Sequence, residues 1–272
     1  MDDPLDVIEF IVISDHRVAV LEALNERPRT RNELRTETGA SSPTMGRILT
    51  DFGDRHWIER DGKTYRLTDL GRFVADQFDA LLEAMTIENQ LHDVWQWLPH
   101  DLDGFGAELL GDAVVSYPGP GYPYEPVERD KQIVEDSGTM RGFGMTMVKS
   151  NTLEPFFDRI LDGLECEFIY PPEVFEVILS WDSETVSEAI ARDNYTVLLH
   201  EDLPNEEWCG ICLSDDRVSI CCYEPETGML RALVDTDAPR AYSWGESVYE
   251  RYRAEARPLE EISEVGSVES HL

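Results

Sequence analysis

Four cysteines late in the chain have the residue types of a metal site: Cys209-Gly-Ile-Cys212 and Cys221-Cys222. Zinc takes four thiolate or imidazole ligands in a tetrahedron. Both groups fall in expected strands on either side of an Asp215-Asp216 turn, and side chains alternate along a strand. Cys209, Ile211 and Leu213 then share one face and Cys212 the other. On the return strand Val218, Ile220 and Cys222 share a face and Cys221 opposes it. Four thiolates would meet at one ion only across a bulge, so the expected role is that of small apolar residues. No metal and no cofactor is expected. The six histidines are scattered, without a His-Glu-x-x-His pair, and neither a Gly-x-Ser-x-Gly elbow nor a phosphate-cradling Walker loop occurs. No catalytic residues are expected.

Two other groups of residues suggest binding. Arg141-Gly-Phe-Gly144 lets a ligand approach bare backbone beside a fixed positive charge. Phe143, Tyr170, Trp208, Tyr223 and Trp244 fall near expected strand ends, where α/β sheets form pockets. Arg141, Phe143, Tyr170 and Tyr223 are the candidate ligand-binding set. Arg141 would favour an anionic or polar metabolite, a possible small-molecule effector. The second group is Arg31, Ser41, Ser42, Thr44, Met45, Arg47, Arg60, Lys63 and Arg66. It combines forked and point-charge donors with short polar side chains, the types that contact base edges and phosphates in double-stranded DNA.

The elements that would position this second group are three short helices and a hairpin. Val18, Val20, Leu21 and Leu24 give an apolar face to a helix over 15–25. Thr30 and Glu33 form a capping box opening a helix over 31–38, and Gly39 supplies a left-handed end. Ser42 before Pro43 starts a third helix, 43–56, with Ile48, Leu49 and Phe52 inward. A hairpin over 57–68 turns at Asp61-Gly62, and Trp57, Tyr65 and Leu67 seal it on the helices. A helix with a flanking hairpin offers the two shapes that enter DNA grooves. A small helical bundle without a nucleic-acid role is the plainer alternative.

Charge divides the chain unevenly. The formal net charge is −33, yet residues 1–72 hold 11 Arg and Lys against 14 Asp and Glu, whereas the remainder holds 12 against 42. Only three lysines occur (Lys63, Lys131 and Lys149), against 20 arginines. Such acidity on an ordinary globular composition suggests a cytosol of molar salt. There the Debye length falls to roughly 3 Å and carboxylates stop repelling DNA at a distance. Hydrophobic residues make up 42% of the chain, which speaks against disorder. No membrane-length apolar stretch or signal peptide is read, and the expected location is the cytoplasm.

A long helix is expected over 69–98. Leu67, Leu70, Val74, Gln77, Leu81, Ala84, Glu88, Leu91, Trp95 and Leu98 follow spacings of three and four, a seam suited to pairing two chains as a homodimer. Phe73, Phe78, Leu82, Met85 and Val94 form a second stripe. Beyond a linker over 99–106, strands (112–117, 139–147, 166–170, 195–200) alternate with helices (127–136, 153–164, 173–179, 184–192). Antiparallel strands over 208–235, with turns at Asp215-Asp216 and Thr227-Gly228, and a helix over 239–256 follow. This order indicates a three-layer α/β domain.

Residues 15–72 resemble the winged-helix module of MarR- and ArsR-type regulators. The whole chain is similar to the haloarchaeal winged-helix regulators, whose C-terminal part resembles the middle domain of the methanogenesis regulator of filament growth. The resemblance rests on Arg47-Ile-Leu-Thr-Asp-Phe52, Val94-Trp-Gln-Trp-Leu-Pro99, Arg141-Gly-Phe-Gly144, Tyr170-Pro-Pro-Glu-Val174 and Cys221-Cys-Tyr-Glu-Pro-Glu-Thr-Gly-Met229. With the patterns above, it gives an α+β winged helix over 1–72, a linker and dimerisation helix over 73–106 and an α/β sensory domain over 107–258, and the polar end is expected to form a flexible tail over 259–272. It also implies a sensory layout like half of a phospholipase-D-type fold. That enzyme family uses His-x-Lys-x4-Asp. Here Glu201 and Asp202 follow His200, so the lysine is lacking and only the layout carries over. The expected function is a ligand-responsive DNA-binding regulator. The alternative is a protein-interaction adaptor that uses the winged helix for partner contacts.

Overall fold

The computed structural model describes residues 3–144, 153–203, 209–224 and 229–259. The chain divides into two compact units, Met1–Thr86 and Ile87–Leu272. No helix among the described residues is long and apolar enough to cross a membrane.

The first unit opens with α1 (Pro4–Val12), a helix outside the sequence expectation. Asp3 caps it by accepting from the Leu5 amide, and Pro4 occupies its first turn. Next come α2 (Asp15–Glu26), the short strand β1 (Arg29–Thr30), α3 (Arg31–Thr38) and α4 (Ser42–Asp54). The hairpin strands β2 (Ile58–Asp61) and β3 (Thr64–Leu67) complete a three-stranded sheet in the order β1-β3-β2. The capping box at Thr30 and Glu33 is present, and the Thr30 amide pulls the Glu33 carboxyl down to about 2. Gly39 ends α3 at φ +69°, a conformation that costs side-chain-bearing residues. The hairpin turns on Gly62 at φ +60°, one residue later than the Asp61-Gly62 pair suggested. The core joins Leu21, Leu24, Leu34, Met45, Ile48 and Phe52 to Trp57, Ile58 and Leu67. Phe10 of α1 packs on Phe52 and Trp57 at 6.2 and 6.0 Å between ring centres, and Arg17 lies 3.9 Å above Phe10.

The long helix α5 runs Asp69–Leu91 and stops short of the expected Leu98. A 3-10 turn, Trp95–Trp97, follows it. Leu91, Val94 and Leu98 are buried in the core of the second unit, so the seam read from the sequence serves different ends along its length. Its C-terminal part is core. Its earlier residues Leu70 and Leu81 are exposed, as are Phe73 and Met85 of the second stripe.

The second unit is built on one eight-stranded sheet. Its strands are β4 (Val114–Ser116), β5 (Thr139–Phe143), β6 (Glu165–Tyr170), β7 (Tyr195–Leu199), β8 (Cys209–Ser214), β9 (Arg217–Tyr223), β10 (Leu230–Thr236) and β11 (Arg257–Pro258). The spatial order is β11-β7-β6-β5-β8-β9-β10-β4. β5, β6 and β7 run parallel, joined by α7 (Leu153–Leu161) and by α8 (Pro172–Trp181) with α9 (Ser183–Ile190). The remaining pairings are antiparallel.

Side-chain alternation divides the core in two. Phe143, Ile169, Ile211, Leu213, Ile220 and Val234 pack with α10 (Pro239–Arg253). Met140, Phe168, Tyr170 and Val197 pack with α7, α8 and α9. Tyr223 and Leu233 meet Ile133 of α6 (Glu125–Asp136). Helices cover both faces of a mixed sheet, giving three layers of α/β structure. The Thr227-Gly228 turn, Trp208, residues 145–147 of the expected strand, and residues 260–272 of the expected tail lie outside the described residues.

Candidate functional site

Ser41, in extended conformation, caps α4: its hydroxyl accepts from the Thr44 amide at 3.3 Å and meets the Thr44 hydroxyl at 2.8 Å. Ser42, expected as the cap, is instead the first helical residue. Arg31 donates to its carbonyl oxygen at 2.7 Å and lies 3.3 Å from its hydroxyl. Arg31 therefore fastens α3 to the first turn of α4, and Gly46 makes room for it. A Cβ there would lie 3.0 Å from the Arg31 guanidinium.

The exposed face of α4 carries Pro43, Arg47 and Thr50, with spacings of four and three along one side. The Arg47 side chain has no ion pair or hydrogen bond among the described residues. Thr50 was not singled out from the sequence; its i, i+3 relation to Arg47 is the signal that finds it. Met45 does not belong with them. It is fully buried in the first-unit core, because its place in the helical period aligns it with Ile48, Leu49 and Phe52. It cannot reach a base.

On the hairpin, Lys63 is exposed at the turn and without an ion pair among the described residues. Arg60 donates to the Gly62 carbonyl at 2.9 Å. Arg66 pairs at 2.6 Å with Glu59, its cross-strand neighbour. Both Arg66 and Glu59 are exposed, so the pair is worth at most about 1 kcal/mol and leaves Arg66 able to exchange partners. Two carboxylates near α4 are neutralised within the fold. Asp51 takes Arg17 at 3.0 Å, and Glu37 takes the buried Arg29 at 2.7 Å.

The expected ligand set separates. Phe143, Tyr170 and Tyr223 border one slot of about 30 Å³, together with Asp130, Met140, Gly144, Phe168, Gly210, Cys212 and Cys221. The Phe143 ring itself turns to Tyr252, 4.9 Å away. Arg141 is not at this slot. Its guanidinium lies on the α10 side, bonded to Glu246 and, at 3.0 Å, to Glu250. Strand alternation places Arg141 opposite Met140, which a reading of the four-residue motif as one unit overlooks. Arg141 borders a separate open groove of about 730 Å³ with Glu165, Glu167 and Asp193, a predominantly acidic setting. The charge offered to a ligand by the tyrosine-lined slot is Asp130, a residue the sequence did not single out.

The cysteines alternate as the strand pattern requires. Cys209 and Cys222 lie in the α10-side core, and Cys221 packs with Ile133 and Tyr223 on the other side. Burial pushes the Cys221 thiol well up and the Cys212 thiol to about 12. A reactive thiolate needs the opposite shift. Of His200, the Nδ1 nitrogen lies 3.0 Å from the Asp202 amide, and Nε2 is 3.8 Å from Glu255.

Two family models match the chain: the HVO_A0261 N-terminal domain over residues 5–90, and the middle domain of the methanogenesis regulatory protein FilR1 over residues 123–255. Together they span most of its length. No curated protein matches the chain in sequence. Among solved structures, the archaeal chromatin protein TrmBL2 is similar at 10% identity and a TM-score of 0.42, covering 90% of this chain and 93% of that one. The phospholipase D family member Nuc from Salmonella typhimurium is similar at 10% identity and a TM-score of 0.40, over 54% of this chain and 97% of that one. NucT from Helicobacter pylori gives 10%, 0.43, 54% and 99% in the same order.

Proposed function

We propose that this chain, which carries an HVO_A0261-type N-terminal domain followed by a FilR1-type middle domain, is a DNA-binding transcription regulator of a high-salt cytoplasm. In this reading residues 1–72 act as a winged helix on double-stranded DNA, 73–106 link and pair two chains, and 107–258 sense an effector. The observation that carries it is the solvent face of α4. A capped helix start presents Arg47 without a counter-ion among the described residues, in the unit that also exposes Lys63 on its hairpin turn. A recognition helix meets base edges with its N-terminal residues while a wing meets backbone. The regulatory description of the matched middle domain supports the same role.

Regulation would work by population shift: a ligand that favours one arrangement of the dimer changes the separation of two recognition helices. The pairing surface would be the exposed run Leu70, Phe73, Leu81 and Met85 of α5, with a second copy of the chain as occupant.

The experiment is a titration of the full chain with duplex DNA in molar KCl. Retained binding that discriminates between duplex sequences is the expected result. Binding to none, together with capture of a protein partner through α4, would replace the reading with that of an adaptor.

A further inference from the structure

Two carboxylates lie beside α6, one fully buried and one partly buried, and they are treated differently. Asp235 of β10 is fully buried and held by two arginines: Arg129 at 2.7 and 2.9 Å, and Arg217. Asp130 lies one residue along α6 from Arg129, within the helical stripe of Pro126, Ile133 and Val134 that faces the sheet. It borders the slot formed with Phe168, Tyr170, Cys212, Cys221 and Tyr223. No hydrogen bond or ion pair reaches it among the described residues. A carboxylate placed among apolar groups without a counter-ion is costly, and a site of this kind is where binding function is sought.

The sheet beneath the slot brings two backbone segments close together. Gly144 and Gly210 border it, and a Cβ at Gly210 would lie 2.9 Å from the Phe143 carbonyl oxygen and 3.1 Å from the Gly144 Cα. The space of about 30 Å³ suits one small polar head group. Besides Phe143, whose ring turns to Tyr252, the aromatic residues Phe168, Tyr170 and Tyr223 line it, and aromatic rings attract cations.

We propose that this slot binds the protonated amine of a small organic ligand, an ammonium group on a compact apolar body, with Asp130 as its counter-ion. The proposal rests on the sensory reading of the second unit and makes the effector cationic, the reverse of the anion that Arg141 suggested. Burial pushes Asp130 up to about 7. The other titratable groups at the slot are Tyr170 of β6, Cys212 of β8, and Cys221 and Tyr223 of β9, all raised by burial and uncharged near neutrality. Among the described residues Asp130 therefore sets the pH dependence there, and amine binding strengthens as pH rises through 7 and the carboxyl ionises.

The test is calorimetric titration of the full chain in molar KCl with butylamine, butanol and butyrate. The expected result is binding of butylamine alone, weakened at least tenfold in Asp130→Asn and weakened as pH falls from 8 to 6. Circular dichroism of the variant controls for folding. Absence of amine binding overturns the proposal, as does equal binding of butanol or butyrate, or unchanged affinity in Asp130→Asn. A parallel DNA titration separates the two ideas: amine binding that leaves DNA affinity unchanged keeps the site and removes its role as an effector site.

Discussion

The Arg31 guanidinium donates at 2.7 Å to the carbonyl of Ser42, tying the start of α3 to the first turn of α4. The bond fixes the attitude of the helix that presents Arg47. Arg31 also stays exposed, so it positions α4 and remains within reach of a phosphate. Arg31→Ala is expected to lower affinity for all duplex sequences alike, by a few fold, with the chain still folded. A loss confined to one selected sequence would make Arg31 a base reader instead. Binding isotherms on a selected site and on random duplex distinguish these outcomes.

The exposed stripe of α5 is expected to hold two chains together. Phe73 is 64% exposed and Leu81 39%, whereas Leu91 is only 1% exposed and belongs to the second-unit core. Phe73→Glu with Leu81→Glu should give folded monomers by sedimentation in molar KCl. Leu91→Glu should instead unfold the second unit, because it places a charge inside the core. A double variant that remains dimeric would remove this stripe as the pairing surface.

Asp235 should be the most sensitive polar position in the second unit. Removing it leaves Arg129 and Arg217 without their shared carboxylate. Breaking a buried pair of this kind typically costs about 3–5 kcal/mol. Asp235→Ala is therefore expected to lower the denaturation midpoint strongly. A change within about 0.5 kcal/mol, typical of surface positions, would show that the arginines find other partners.

Much of this arrangement was legible in the chain. The Thr30–Glu33 capping box, Gly39 and the Pro43 helix gave the first unit, because these signals are local backbone chemistry. Strand periodicity placed Cys209 and Cys222 on one face and Cys221 on the other. Tertiary choices were harder to read. Met45 sits at a helix start like a base reader, but its period puts it in the core. Arg141 and Tyr170 looked like partners in one pocket, yet strand alternation sends Arg141 to Glu246 and Glu250. Asp130 was hidden because an acidic residue in so acidic a chain stands out only once its neighbours are known. The end of α5 at Leu91 followed from burial of Leu91, Val94 and Leu98, which a heptad pattern cannot distinguish from a pairing seam.

Asp130 also makes stability depend on pH. Its folded pKa is raised from 3.8 to about 7. Between those values the native chain binds more protons there than the unfolded chain, so this group's contribution falls as pH rises from about 4 to about 7. The total loss is on the order of 1–4 kcal/mol. Asp130→Asn should flatten that slope and melt higher than the parent at pH 8. An unchanged profile in denaturant melts would place the carboxyl in solvent.

The most direct measurement of the DNA-reading role is selection of duplexes from a random pool by the full chain in molar KCl, repeated with Arg47→Ala. The expected result is enrichment of a pseudo-palindrome whose half-sites lie one helical turn apart. The Arg47→Ala chain should lose about 1–3 kcal/mol of discrimination at one base pair of each half-site while keeping its affinity for random duplex. Recovery of no enriched sequence, or an identical motif and affinity from the Arg47→Ala chain, would contradict the assignment of α4 as the reading helix.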